Sequence, residues 1–505
     1  MAVEVQAEQA TRIQDRRGVA GRLRPLRNAG YQSAAALVGK IFSFVLLFTS
    51  TRVLGTGLFG EYTTVLSFVG FFGVLTDLGM GSLAVRDVAQ DQSRAVRYVS
   101  NVLAVRMVTT LLGVFLICAL AQVAIAPSLR IAVYVYALSL LPLAAANTLN
   151  LVFQFREHMS LNAILSVATA GLMTLLSIII LALGHHVLGL IVIFTLVTII
   201  NTAALSWIVY TRFLPMRLEI DVRWWPTLLR LAAPFSALTV LNVLYSRGDM
   251  LILSWESGCR QSTTCTPVGL YGVAYRVLDV LAALFVGTAI TVTLPVLNRV
   301  LAESRAGVAR VLRSSTSLAL AFSVPVALFC SFYATDALHL VSGRQFVDAA
   351  LALGILSWAF PGMLMVGLYN SGLITLQGQK VVAISFTLTF AFNVLLNVLL
   401  IPRYSFYASA ALTVASEFLN AAFVYVALRR QLGPLGLSGP IVKIVAVAAV
   451  TALALWVLRV YGIMIGVPVG TIMILLGYRV THLLSDTERE ILKAAPLVGR
   501  YAHLL

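Results

Sequence analysis

The segments LNVLYSRGDMLILSW (241–255) and GLYGVAYRVLD (269–279), joined by a short polar loop, decide how this chain is read. Both are apolar enough for long helices in lipid. Yet the first carries Arg247 and Asp249 and the second Arg276 and Asp279. If the first helix ends near Trp255 and the second begins near Gly269, each arginine lies seven or eight residues inside, roughly 10–12 Å from the same membrane edge at 1.5 Å per residue. Ionisable groups at that depth are expensive and usually face a bundle interior or a watery cavity. The pattern therefore implies helices packed around a hydrated space.

Composition agrees. The chain has 505 residues, of which 60% are hydrophobic and 11% charged, with a mean hydropathy of +0.93. A soluble domain of this length needs about a quarter of its residues charged. The fold class is thus an all-α polytopic membrane protein. The net charge of +16 does not point to nucleic acid, because the basic residues are scattered through short loops. The first apolar run begins near Asn28 and continues for about 25 residues, too long for a signal-peptide core, so it reads as an uncleaved anchor.

About fourteen apolar runs of spanning length follow, near 29–54, 62–85, 98–126, 131–153, 161–184, 187–210, 227–255, 269–297, 311–334, 346–376, 380–401, 405–428, 439–461 and 464–483. Pro142, Pro234, Pro325 and Pro361 are candidate kinks. With the N-terminus inside, inner segments and nearby helix ends hold 27 Lys and Arg, and outer segments hold six. That bias sets both termini on the cytoplasmic side. The expected organisation is a basic, disordered cytoplasmic tail (1–28) touching anionic lipid, a six-helix lobe (29–210) and a linker (211–226). A second six-helix lobe (227–428), helices thirteen and fourteen (429–484) and a cytoplasmic tail (485–505) complete it. No connection exceeds about 20 residues, which leaves no room for a nucleotide-binding domain.

The two lobes carry an internal repeat. Gly57-Leu58-Phe59-Gly60 with Val65-Leu66 matches Gly269-Leu270-Tyr271-Gly272 with Val277-Leu278 at an offset of 212, and Ser93-Arg94-Ala95 resembles Ser304-Arg305-Ala306. A six-helix unit re-enters the membrane in the same direction. The halves would then be parallel pseudo-repeats, as in many transporters that rock around a central cavity.

The candidate site residues are the membrane-depth charges. Lys40 lies about eleven residues into helix one and must see water, an acid or an anionic ligand. Arg52, at the outer end of that helix, could be satisfied by snorkelling. Arg247 with Asp279 and Arg276 with Asp249 could staple helices seven and eight; alternatively an arginine faces the cavity and grips an anionic group bidentately. Asp77 in helix two reads as structural, capping or pairing near Arg86, and Glu417 as either a proton or cation site or a buried partner. Asn242, Asn393, Asn397, Asn420, Tyr245 and Tyr275 add polar groups to helix interiors, for interhelical hydrogen bonds or for lining a sugar path. Cys118 and Cys330 read as packing residues. Cys259 and Cys265 share the polar loop, where a disulfide is open to them if the loop faces an oxidising compartment. No histidine lies near them, which argues against zinc or any other metal site. His185-His186 lacks a carboxylate partner, and the longest outer loops (256–268 and 335–345) hold no catalytic cluster.

Several short motifs resemble the oligosaccharide (polysaccharide repeat-unit) flippases of the multidrug/oligosaccharidyl-lipid/polysaccharide exporter superfamily. They are Thr51-Arg52-Val53-Leu54-Gly55, Phe59-Gly60-Glu61-Tyr62, Asp77-Leu78-Gly79, Arg86-Asp87, Arg247-x-Asp249 and Tyr271-Gly272-x-x-Tyr275-Arg276. The resemblance implies translocation of polyprenyl-pyrophosphate-linked oligosaccharide to the outer leaflet by alternating access, without ATP or another cofactor. Proton or sodium coupling, and polysaccharide polymerases or glycosyltransferases as partners, are open. Lys40, Arg52, Arg247 and Arg276 would be cavity cations, and Asp77, Asp249, Asp279 and Glu417 coupling or cavity acids. The lipid II flippase branch matches less well, since helix two has no basic residue before Arg86. A cation-coupled drug exporter and a membrane glycosyltransferase or polymerase are the competing readings.

Overall fold

The computed structural model describes residues 2–73, 79–155, 159–213, 219–256 and 265–483. Asp77 and Cys259 lie outside these residues, as do the side chains of Arg247, Asn242 and Pro234. Among the described residues all regular structure is helical. Among the described residues ten helices are long and apolar enough to cross a membrane, or eleven if one bent pair is a single span, against about fourteen apolar runs in the sequence. The chain is helical from Ala2 onward, where the sequence suggested a disordered tail.

Two long helices are broken where the apolar runs divide. Gly55 (φ 72°, ψ −178°) interrupts α1 (Ala2–Gly73), in a backbone region essentially reserved for glycine. Ser405 (φ 52°, ψ −141°) interrupts α13 (Gln379–Leu432). The tenth run is also divided: its two pieces, Arg344–Leu356 and Ala359–Thr375, meet at 41°. Pro361 sits in the first turn of the second piece, where its missing N–H costs nothing. Pro142 and Pro325 stay inside continuous helices, Arg130–Phe155 and Arg305–Phe332. The Thr202 hydroxyl donates to the Pro142 carbonyl (2.8 Å), a hydrogen bond between neighbouring helices.

The chain forms two compact units. The first comprises 1–50 and 68–240. It contains α2 (Met80–Gln90), α3 (Ala95–Ala124), α4 (Arg130–Phe155), α5 (Met159–Ala182), α6 (Val187–Arg212) and the beginning of α7 (Trp225–Glu256). Its inner core joins Met80 and Leu83 to Tyr98, Phe153, Leu205 and, from α7, Leu228 and Ala232. The approach to α7 is pinned to α3. Buried Asn101 donates to the Glu219 carbonyl and accepts from the Asp221 N–H and the Trp225 indole N–H. Arg97 pairs with Asp221 at 3.0 Å and lies over the Trp224 ring. Segment 219–225 is thereby a built part of the first unit.

The second unit comprises 51–67 and 241–505. It contains the rest of α7, α8 (Thr266–Leu301), α9 (Arg305–Phe332), α10 (Ala334–Ser342), α11 (Ala350–Leu356), α12 (Ala359–Thr375), α13, α14 (Ser438–Leu458) and α15 (Ile463–Val480). Here the repeated glycine motifs meet each other. A Cβ on Gly60 would stand 1.9 Å from the Cys265 carbonyl oxygen, and one on Gly269 2.1 Å from that of Thr56. Backbones this close need small residues at the crossing, as membrane helix pairs commonly use. The other repeated motif also has one role: in each copy it opens a helix, α3 at Ala95 and α9 at Arg305. The α14–α15 pair packs on α9 through Ile444, Val447 and Ile474 against Leu320 and Val324.

Candidate functional site

The second unit buries a polar network drawn from three helices. Asp249 on α7 is 3% exposed. One of its carboxylate oxygens accepts from Tyr271 Oη of α8 (2.5 Å) and from Thr413 Oγ1 of α13 (3.3 Å), and the other from the Met250 N–H (2.7 Å). Along α13, Asn397 Nδ2 donates to Asn393 Oδ1, Ser409 Oγ donates to Asn397 Oδ1, and Asn393 Nδ2 donates to Ser416 Oγ. The break at Ser405 folds α13 back, so that residues before it reach residues after it. Next to this chain Tyr245 donates to Glu417 (2.9 Å), and Glu417 is pressed against α12, where Gly362 leaves it space. Hydroxyls, amides and two carboxylates inside apolar helices can bind a proton or a small cation, because the acids supply charge and the amides supply further oxygen ligands.

These contacts separate the sequence candidates. Asp249, Glu417, Asn393, Asn397 and Tyr245 come together in this region. Asp249 is met by Tyr271 and Thr413; among the described residues no ion pair joins it to Arg276. Arg276 is half-buried and lies close enough to Tyr62 for its charge to act on that hydroxyl. Asp279 is half-buried one turn farther on. Thr413, Ser409 and Ser416 were not singled out by sequence. Hydroxyl residues are common in apolar helices, and only the fold-back at Ser405 gives these three partners.

Within the first unit, Lys40 is half-buried on α1. Arg106 is a membrane cation that sequence reasoning grouped with a helix end. It is 3% exposed, donates to Thr148 (3.1 Å), and with Tyr136, Leu140 and Asn147 lines a cavity of about 190 Å³. Its place eleven residues after the start of α3 was the available signal. A second cavity, of about 330 Å³, lies among α4, α5 and α6 and is lined by Asn150, Asn162, Ser166, Thr169, Thr198 and Asn201. Thr169 donates to Asn201, while Asn150 Oδ1 is shut from solvent and accepts no hydrogen bond from the described residues.

Two further sets lie toward the membrane edges. Asp87 accepts from Tyr98 (2.5 Å) and Arg86 (2.8 Å). Burial pushes its carboxyl up, but these hydrogen bonds and the charges of Arg86 and Arg94 outweigh it and hold the group below the ordinary carboxylate value. Arg52 donates to the Leu340 carbonyl (2.8 Å) beside a cleft at the end of the second unit. Cys265 is disulfide-bonded, while Cys118 and Cys330 are free.

A family model described as "Polysaccharide biosynthesis protein" matches residues 26–301. No curated protein matches the sequence. Among solved structures, a lipid II flippase, MurJ, in an inward closed conformation is similar with a TM-score of 0.74 at 13% identity, covering 88% of this chain and 98% of its own. An inward-facing multidrug resistance transporter of the MATE family, in the MOP superfamily, gives 0.63 at 14% identity, covering 81% and 99%. A MOP superfamily transporter from Pyrococcus furiosus gives 0.55 at 14%, covering 81% and 96%. At these identities the likeness is one of fold.

Proposed function

We propose that this chain, which belongs to the polysaccharide biosynthesis protein family, flips polyprenyl-pyrophosphate-linked oligosaccharide, the repeat unit of a polysaccharide, from the inner to the outer leaflet by alternating access. The chain is a multi-pass membrane protein with a flippase-type transporter fold and is not an enzyme, so the glycosyltransferase and polymerase readings fall away. The observations that support this substrate are two half-buried cations, Lys40 within the first unit and, separately, Arg276 within the second. Each sits on an apolar span, and among the described residues neither makes an ion pair or a side-chain hydrogen bond. A cation so placed is stabilised when an anion reaches it, and a pyrophosphate offers that charge. The glycan would travel in water and the prenyl tail in lipid, with both chain termini cytoplasmic.

The Asp249–Tyr271–Thr413 network and Glu417 are the proposed coupling site for a proton or sodium ion. Buried acids also favour a second reading, a cation-coupled drug exporter, while the lipid II flippase is the nearest alternative substrate class. Flipping of a fluorescent polyprenyl-pyrophosphate oligosaccharide in proteoliposomes tests these readings. Wild type is compared with Lys40→Ala and Arg276→Ala, each first shown to be folded. Loss of flipping in either variant supports that cation as a substrate contact. Normal flipping in both would place substrate binding elsewhere, and cation-dependent dye efflux without lipid flipping would establish the exporter instead.

A further inference from the structure

At the end of the second unit that the charge bias assigns to the outside, a cleft of about 930 Å³ plays no part in the transport reading. Its walls include Arg52, Asp336, His339, Arg344, Tyr461 and Met464. Three separate turns converge there: the end of the first span, the reversal at Gly343 after α10, and the reversal at Gly462 between α14 and α15. Arg52 is held in place through its bond to the Leu340 carbonyl, and Gln345 donates back to the Thr51 carbonyl (2.9 Å). Arg344 Nε donates to His339 Nε2 (3.3 Å).

Basic residues are scarce on this side, with six of 36 in outer segments. Arg52 and Arg344 are two of those six and line the cleft; a third, Arg459, is two residues before the cleft's Tyr461 and stands over the Trp456 ring at 5.6 Å. A topology that removes outer cations has thus kept two of them in one cleft. Around them is an apolar rim: Val460 is 84% exposed and Met464 81%, with Leu340, Trp456 and Tyr461 also open. Guanidinium groups beside exposed apolar and aromatic residues match the boundary between headgroup and acyl chain. Asp336 in the wall disfavours a bare multivalent anion. It suits a headgroup whose phosphodiester is followed by a hydroxyl or ammonium donor.

We infer that this cleft binds the phosphodiester headgroup of a phospholipid, with Arg52 and Arg344 on the phosphate oxygens and the acyl chains along the 456–464 rim. Only its assignment to the outer leaflet rests on the proposed orientation; binding itself does not depend on the transport reading.

The test is native mass spectrometry of the full chain in detergent, titrated with phosphatidylglycerol, phosphatidylcholine or inorganic phosphate. Wild type should retain the phospholipids and be little affected by millimolar phosphate. Arg344→Gln should weaken phosphatidylglycerol binding about tenfold, the factor corresponding to loss of about 1.4 kcal/mol from one charge-assisted contact. Arg344→Lys should recover much of it. Because Arg52 also ties two turns together, Arg52→Gln counts only with its thermal midpoint unchanged. Equal lipid binding by wild type and Arg344→Gln would overturn the inference. So would a wild type that binds inorganic phosphate as tightly as the phospholipid.

Discussion

In the second unit Asp249, Tyr271 and Thr413 close on one another from three helices, whereas in the first unit Asn150, Asn162 and Asn201 stand around a cavity of about 330 Å³. One region spends its polar groups on each other; the other pairs Thr169 with Asn201 and leaves Asn150 Oδ1 without a bond from the described residues. A closed network fixes helix positions, and removing one member strands the rest in a low-dielectric interior. An amide that faces a cavity makes few protein contacts, so its removal costs the fold little. Polar residues inside apolar helices therefore divide into those that hold structure and those kept for something that enters.

The comparison is most severely tested by Asp249→Ala. Tyr271 would lose its buried carboxylate acceptor, at about 1–3 kcal/mol, while Thr413 keeps the Ser409 carbonyl, so a loss of about 2 kcal/mol is expected. Thermal unfolding of the detergent-solubilised protein measures it; an unchanged midpoint would mean the network does not hold the unit together. Thr413→Val removes one hydroxyl and should cost about 1 kcal/mol by the same assay.

Asp87 provides a calibration at the membrane edge. Its folded-state pKa lies below the unfolded value near 3.8. Its contribution is therefore complete above that value and disappears as pH falls through the lower folded one. Asp87→Asn should be destabilised near neutral pH by less than Thr413→Val, and the gap to wild type should close in acid. A gap that stays constant down to pH 2 would show that the carboxylate charge is not responsible. Smallest of all, Asn150→Leu should change stability by no more than about 0.5 kcal/mol, or raise it, because Asn150 Oδ1 gives up no bond to the described residues. A loss of 2 kcal/mol there would erase the distinction between the two regions.

Much of this was legible in advance. Hydropathy located the helices, and the boundaries it drew near Gly55 and Ser405 are real breaks, because a reversal needs backbone that an apolar helix cannot supply. The glycine repeat was visible as spelling, but not that its two copies touch, since contact depends on how helices cross. Asn393 and Asn397 stood out as amides in apolar runs. Their hydroxyl partners did not, because serine and threonine bond to their own helix as readily as to another. Arg106 counts among the basic residues of inner segments and nearby helix ends in the sequence, and only the packing of α3 against Thr148 shows that it is buried. Nothing in the hydropathy of Thr51–Ser67 marks it as grouped with residues beyond 241.

The pinning of 219–225 to α3 has a consequence for fragment complementation. A gene divided between codons 213 and 219 would yield a second fragment that carries Asn101's three partners outside its own helix, together with Leu228 and Ala232 of the first unit's core. That fragment therefore bears its own recognition handle for the first. Two separately translated pieces should find each other in the membrane through this handle together with the Gly60–Gly269 crossing, and Asn101→Leu should weaken their reassembly while the undivided chain still folds.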